Sequence, residues 1–596
     1  MRLNSDNQSI TFETVQLQGG FACYVSGRGD RLAYRADVPD TADYLAIENH
    51  SPFWCRPFWG QSLTRLPQRV QALLIRRGNT YTYWLPVCDE TYKTLICGAE
   101  EGVGFCTYSN CHTVTACDRQ LAFLCLEGAD PLALMKEAAR EVCRLLDNGL
   151  RLREEKTVPE VFNYLGWCSW DSMQIRVNHA GLVEKAVEFR NKGVPVRFAI
   201  IDDMWADVPH LNEIPADTEF GKMVSMMHVS TMRTFAGDPK RFPAGMKAAI
   251  EDVKREGIPT VGVWFPTTGY WSGLDPAGSE AERQRENTVT LPNGQIIVSP
   301  DGEKATRYFD DLCSRIKAWG GDFVKIDNQG FHTRFENVAP IGASARAIQR
   351  GIDQAAGKHF DGALINCMGM PSECMFNRVS AVCRCSDDFM PESREWFAKN
   401  ILQCAYNGLL QGQFYVNDWD MWWTDDEQAV KNSLCRAISG GPIYVSDKIG
   451  RTDPAILKPL CTEDGRIIRP DESATPTADC LTENPTLTDR IFKIRNRFGQ
   501  RGVCAVFNIH AGNQSVSGTL SPCETGIGDG DYTYYEHFTK ETGVLRAGEC
   551  LQITLQDNDD FRLYSFVPTG ECGDTYPGRT DLFMGVGIRE TKRESD

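Results

Sequence analysis

Asp recurs near Trp, Lys or Arg in six short motifs along this chain, and the combination points to a chemistry. The motifs are Gly166-Trp-Cys-Ser-Trp170-Asp171, Ile201-Asp202-Asp203-Met204-Trp205, Val324-Lys325-Ile-Asp327-Asn328-Gln329, Arg384-Cys-Ser-Asp387-Asp388, Asn417-Asp418-Trp419-Asp420 and Ser446-Asp447-Lys448. One Asp after a strand commonly caps the next helix, and one Trp commonly packs a barrel rim. Capping needs no Trp, Lys or Arg beside the Asp, so six such motifs read instead as one binding surface. Carboxylates take pairs of sugar hydroxyls, and indole faces stack on sugar C–H faces. Cleavage of a glycosidic bond needs two carboxyl groups on either side of the anomeric carbon, one as nucleophile or base and the other as acid. Asp327, neighboured by Lys325, is expected to have its charged form favoured, as a nucleophile requires. The Asp387-Asp388 pair is expected to hold one raised pKa through like-charge repulsion, opposed by Arg384, as a general acid requires.

Motifs so far apart in sequence can meet only if a repeating framework carries them to one place. From about residue 155, short apolar runs alternate with segments of helical period, as expected for βα units around a parallel sheet. Eight strand candidates end in Trp170, Trp205, Phe265, Asp327, Cys367, Asp388, Asp420 and Asp447. Helical stretches run between them, including 179–191, 244–256, 304–319, 394–409 and 427–439. The α/β class with a central (β/α)8 TIM barrel follows, and in such a barrel the site lies at the C-terminal strand ends, where all six motifs fall. A doubly wound open sheet is disfavoured because no Gly-rich phosphate loop follows the first strand.

Residues 1–126 carry short β-forming runs broken by Gly, Pro, Asn and Asp and read as an N-terminal antiparallel β domain. Asp130-Pro131 then opens a bridging helix that Gly149 is expected to stop, and the second domain, bridge plus barrel, is taken as 127–460. Residues 461–490 read as a polar extended connector, followed by alternating runs typical of a β-sandwich, which makes 461–596 the third domain. That sandwich is read as a support for the barrel.

The 596 residues are 42% hydrophobic and 24% charged with a net charge of −17, which excludes wholesale disorder and, without a basic run, makes nucleic acid an unsuitable partner. No signal peptide and no long apolar stretch is visible, so a cytoplasmic protein without a membrane partner is expected. The 23 cysteines lack paired C-x-x-C spacings, and the densest cluster, Cys367, Cys374, Cys383 and Cys385, matches no zinc signature. Neither a metal nor another cofactor is expected.

The same six motifs, in the same order, resemble those of glycoside hydrolase family 36, most closely its raffinose synthase and alkaline α-galactosidase branch, over roughly residues 127–510. The resemblance implies that Asp327 is the nucleophile and that Lys325 contacts sugar hydroxyls. It places the acid/base four residues after Arg384, on Asp388, with Asp387 as the alternative and Arg384 as a sugar ligand. Asp202 and Asp203 would grip the axial O4 and the O6 of galactose, Trp170 would form part of the sugar wall, and Asp420 would order the far side. Trp205 and Cys367, at two further strand ends, complete the expected substrate-binding set. Two departures bear on substrate fit: Met204 stands where the branch commonly has Gly, and Asn328 where it commonly has an aliphatic residue. The aromatic loop around Trp54 and Trp59 either reaches over the barrel mouth or is structural, and His50, His112 and His332 are assigned no role.

The implied activity is a retaining α-galactosidase acting on a small α-galactoside through a covalent galactosyl-enzyme. The alternative is a raffinose-synthase-type galactosyltransferase using the same two carboxylates. Oligomerisation is compatible with either. Two rivals come from other classes: a barrel lyase with Asp202, Asp203 and Asp327 as Mg²⁺ ligands, and a non-catalytic sugar-binding protein.

Overall fold

Large aromatic side chains can fill a small parallel barrel only where neighbouring strands leave room, and glycine leaves the most. At Gly166 an added Cβ would lie 2.1 Å from the Phe198 ring, and at Gly262 it would lie 2.3 Å from the Phe323 ring. Phe162, Phe198 and Phe323 meet edge to face at centroid distances of 5.5 to 6.0 Å and fill the barrel floor. A computed structural model of the chain describes residues 2–215, 217–572, 576 and 578–588; the ends of the expected first and third domains, Met1 and 589–596, lie outside the described residues.

The barrel strands are β1 (Leu165–Cys168), β2 (Phe198–Ile201), β3 (Thr260–Pro266), β4 (Phe323–Asp327), β5 (Leu364–Asn366), β6 (Val382–Arg384), β7 (Val416–Asp418) and β8 (Ile443–Val445). They pair in parallel from β1 through to β7, and β8 pairs with β1. The β8–β1 ladder rules out the open doubly wound sheet. Between β7 and β8 no backbone ladder forms; there Tyr444 OH donates to Asp418 Oδ2 at 2.6 Å and bridges the seam. The expected helices are present as His179–Lys192, Gly245–Arg255, Gly302–Ala318, Arg394–Gln411 and Ala429–Ile438, with a further long helix, Ile341–Phe360, after β4. The strands stop earlier than the apolar runs suggested, so most motif residues sit on the loops just beyond them.

Eleven antiparallel strands between Leu3 and Gly128 form the N-terminal sheet, whose core gathers Phe105, Phe123 and Trp84. It is tied to the barrel by the buried Lys93–Glu373 ion pair. The bridging helix is Pro131–Leu146, with the Asp130 carboxylate accepting from the Leu132 and Ala133 amides. It ends before Gly149: Asp147, at φ 42°, supplies the left-handed cap. After the barrel the expected connector is buried over 473–477, where its Thr475–Pro476 segment joins the edge of a six-stranded antiparallel sheet. That sheet and the strand pair Val516–Leu520 with Leu551–Leu555 enclose a core that includes Val506, Leu520, Leu555 and Phe566. No helix among the described residues is long and apolar enough to cross a membrane.

Replacing Tyr444 with Phe removes the only bonded partner, among the described residues, of a buried Asp418 oxygen at the seam. A loss of about 1–3 kcal/mol in chemical denaturation is expected; an unchanged midpoint would show that this bond does not hold β7 to β8.

Candidate active site

Lys325 and Asp327 are two residues apart on β4, so the pleat sends both side chains to the same face. Both are almost fully buried. Lys325 Nζ donates to Asp202 Oδ2 at 2.8 Å, and the Cys168 thiol reaches the same oxygen at 3.2 Å. Trp264 Nε1 donates to Asp327 Oδ2 at 2.9 Å, while the Asn328 amide donates to Oδ1 at 2.7 Å. Burial pushes the Asp327 carboxyl above its ordinary pKa; the Lys325 charge and the Trp264 bond pull it back, and Asp388 adds to the rise. The expectation that Lys325 leaves Asp327 on the charged side is corrected: desolvation outweighs the ammonium, whose bonded partner is Asp202. Burial alone would lower the Lys325 pKa, but the Asp202 charge holds it well above the ordinary lysine value.

Asp203 is clasped from the other side. Tyr270 OH donates to its Oδ1 at 2.9 Å and Trp271 Nε1 to its Oδ2 at 2.8 Å. Burial pushes its pKa up to about 7, with the Trp271 and Tyr270 bonds opposing. The chain leaves Asp203 through Met204 at φ 74°, and Asn328 (φ 56°), Met368 (φ 50°) and Asp420 (φ 67°) likewise adopt the left-handed conformation just past β4, β5 and β7. Such backbone costs a non-glycine residue about 1–2 kcal/mol. The two departures noted in the sequence therefore fall at strained positions: glycine is the natural residue at 204, and Asn at 328 is the side chain that tolerates this region best.

On the opposite wall Arg384, at 1% exposure, is the hub. Its Nη1 lies 2.7 Å from Asp420 Oδ1 and its Nη2 lies 3.0 Å from Asp388 Oδ1. Asp420 also accepts from the Phe389 amide at 2.7 Å; burial pushes its pKa up to about 6 against the pull of Arg384. Cys367 is buried against Arg384, 3.9 Å from Nη1. The adjacent carboxyls of Asp387 and Asp388 diverge. Asp388 is 56% exposed and held by Arg384, whereas Asp387 pairs with His50 Nε2 at 3.2 Å.

His50 heads the aromatic loop of the N-terminal domain, which does come to the mouth: the Arg384 guanidinium lies over the Trp54 ring at 5.4 Å. Trp59 serves the other reading, donating to the Leu481 carbonyl and packing edge-on against Tyr406. Asp202, Asp203, Lys325, Asp327, Cys367, Arg384, Asp388 and Asp420 thus converge, and half-buried Trp170 stands at the rim beside Phe220. Trp205 is a correction. Its indole is 1% exposed, packs against Phe235 and Trp319, and donates to the Trp264 carbonyl, so it supports Trp264 from behind.

Trp264, Tyr270, Trp271 and Asp171 were missed in the sequence. The aromatic residues in the third strand and in the loop just after it were the available signal for the first three. Asp171 is buried, bonded by Ser446 Oγ at 2.9 Å, and pushed well above the usual carboxylate range by burial, with Asp420 and Asp388 contributing. Of the proposed Mg²⁺ ligands, Asp202 faces an ammonium and Asp203 and Asp327 face indole N–H donors, so the set is already satisfied by donors. No group of three or more His, Cys, Asp or Glu side chains suited to a metal occurs among the described residues.

The chain is similar to known proteins over most of its length. The family model described as "Raffinose synthase or seed imbibition protein Sip1" matches residues 53–519. The chain is 26% identical to the probable galactinol–sucrose galactosyltransferase 1 of Arabidopsis thaliana, over 92% of this chain and 80% of that one. It is 24% identical to the stachyose synthase of Pisum sativum, over 94% and 82%. Among solved structures, the α-galactosidase of Lactobacillus brevis superposes with a TM-score of 0.58 at 12% identity, covering 94% of this chain and 79% of that chain, a likeness of fold.

The Asp203 carboxyl should titrate near pH 7 in carboxyl-carbon NMR, and Trp271→Phe, which removes a bond that stabilises the anion, should move it higher. A titration near pH 4 in the wild type would contradict the burial argument.

Proposed function

The chain belongs to the raffinose synthase family, and from that membership and the site we propose that it transfers α-galactosyl groups from an α-galactoside donor to a hydroxyl of a sugar acceptor. Asp327 attacks the anomeric carbon as Asp388 gives its proton to the departing glycosidic oxygen, leaving a covalent β-galactosyl ester and a free alcohol. In the second step Asp388 takes the proton from the acceptor hydroxyl, whose oxygen bonds the anomeric carbon while the Asp327 carboxylate is released. Asp202, Asp203, Lys325 and Arg384 bind the galactosyl hydroxyls, and Trp170 forms one wall. What carries this reading is the contrast between two carboxyls within electrostatic reach of each other: Asp327 buried against Lys325 and Trp264, Asp388 exposed on Arg384. The buried group suits a nucleophile, and the exposed one can exchange protons and meet different alcohols.

Transfer is favoured over hydrolysis because the relatives are named as galactosyltransferases and as a stachyose synthase. This reverses the order the sequence suggested. Donor and acceptor are then expected among galactosides of polyols and the sucrose-based oligosaccharides. Hydrolysis is the second reading, favoured by the 56% exposure of Asp388, which lets water reach the base. Buried, unbridged Cys367, Cys374, Cys383 and Cys385 support a reducing, cytoplasmic setting.

The first test is product analysis with an aryl α-galactoside, with and without sucrose, for wild type and Asp327→Ala. A galactosylated sucrose supports transfer, free galactose alone supports hydrolysis, and the variant should lose on the order of 10⁴-fold in kcat. Wild type inert towards α-galactosides would refute both readings.

The pH profile has a determined sign. Asp203, near 7, and Asp327, raised, must be ionised to bind and attack, so kcat/KM should fall as pH drops through about 7. Trp264→Phe removes a bond that lowers the Asp327 pKa and should shift the acid limb to higher pH; an acid limb near pH 4 in the wild type would sink the assignment.

A further inference from the structure

Two of the large apolar side chains left exposed among the described residues sit at the ends of one short helix beside the site. Phe220, 38% exposed, opens the helix Phe220–His228, and Val229, 71% exposed, follows it. The helix belongs to the excursion after β2, directly downstream of Asp202 and Asp203, whose base is the two-stranded ladder of Ala206–Asp207 with Thr234–Gly237. Its Met223 and Met227 are buried and pin one face to the core. Phe220 shares that stripe by helical spacing but overhangs it.

Both ends of the helix touch the walls of the sugar site. The Phe220 ring meets Trp170 at 6.5 Å, edge to face, and the His228 ring lies 4.9 Å from Trp271, whose indole N–H holds Asp203. Arg334 Nη1 donates to the Trp271 carbonyl at 2.9 Å and closes this end. His228 also senses the Asp388 charge, which opposes the fall in its pKa caused by burial and by Arg334. The helix therefore runs from Trp170 to Trp271 along the edge of the site. Nine residues rise about 12 Å between the first and the last, enough to underlie a ring beyond galactose.

Resting on the transfer reading above, we infer that the helix Phe220–His228 is the platform for the acceptor and, equally, for the leaving group, with Phe220 stacking on the C–H face of a hydroxylated ring and His228 bonding one of its hydroxyls. The two partners share the platform because the second step is the reverse of the first with a different alcohol. An exposed phenyl ring continuous with a tryptophan wall is the surface such a ring requires.

The experiment measures the ratio of galactosyl sucrose to free galactose formed from p-nitrophenyl α-galactoside at several sucrose concentrations. Phe220→Ala should lower the ratio about threefold to tenfold and raise the KM for sucrose, and Phe220→Tyr should restore both. His228→Ala should act in the same direction. Leu487→Ala, which alters a still more exposed apolar residue in the connector, should leave the ratio unchanged. A ratio unaltered in Phe220→Ala overturns the platform while the transfer reading stands. If wild type hydrolyses but never transfers, the platform is read from the KM for raffinose, which must rise in Phe220→Ala; an unchanged KM overturns it. A wild type that cleaves no α-galactoside overturns the reading of function and the platform with it.

Discussion

A guanidinium buried to 1% exposure must be paired, and the arrangement of Asp388 and Asp420 follows from how Arg384 is paired. It ends β6, reaches Asp420 just past β7 and Asp388 on its own loop, and lies under Trp54 of the N-terminal domain. Three chain segments far apart in sequence are thereby fixed around one cation. Asp420 in turn donates its amide to Asp418, the residue that Tyr444 bonds across the β7–β8 seam. Closure of the barrel and placement of Asp388 are thus one connected set of contacts.

The side that carries Asp327 is built differently. Asp202 spends its charge on Lys325, while Asp203 and Asp327 are held by indole and phenol donors. Neutral donors stabilise a carboxylate less than a cation does, so burial dominates and both carboxyls are raised. Two walls with different electrostatics result, one cationic and half open, the other aromatic and closed. Strained backbone at Met204, Asn328, Met368 and Asp420 shows that the strand ends are bent towards the site at a cost in stability, as functional sites commonly are.

The N-terminal sheet is more than a neighbour of the barrel. The buried Lys93–Glu373 pair docks it, and the loop headed by His50 then brings His50 to Asp387 and Trp54 to Arg384. Asp387 and Asp388 are adjacent in the chain, yet this loop separates their surroundings by giving Asp387 a partner from the N-terminal sheet's side while Asp388 stays on Arg384.

The sequence by itself determined the framework and the cast of residues. Alternation of apolar runs with helical periods gave eight strands and the barrel, because burial on both faces and 3.6-residue periodicity are local properties. Lys325-x-Asp327 was legible because alternate residues of a strand share a face, whereas the pairing of Arg384 with Asp388 rather than Asp387 was implied only by the family resemblance. What only the tertiary structure decided was long-range. Trp205 looked like a site residue by position, but its rotamer turns it into the aromatic cluster of Phe235 and Trp319. Trp264 and Trp271 became the partners of Asp327 and Asp203 through contacts across 63 and 68 residues. The Asp327 pKa ran opposite to expectation because desolvation, which no local spacing encodes, exceeds the pull of a lysine two residues away.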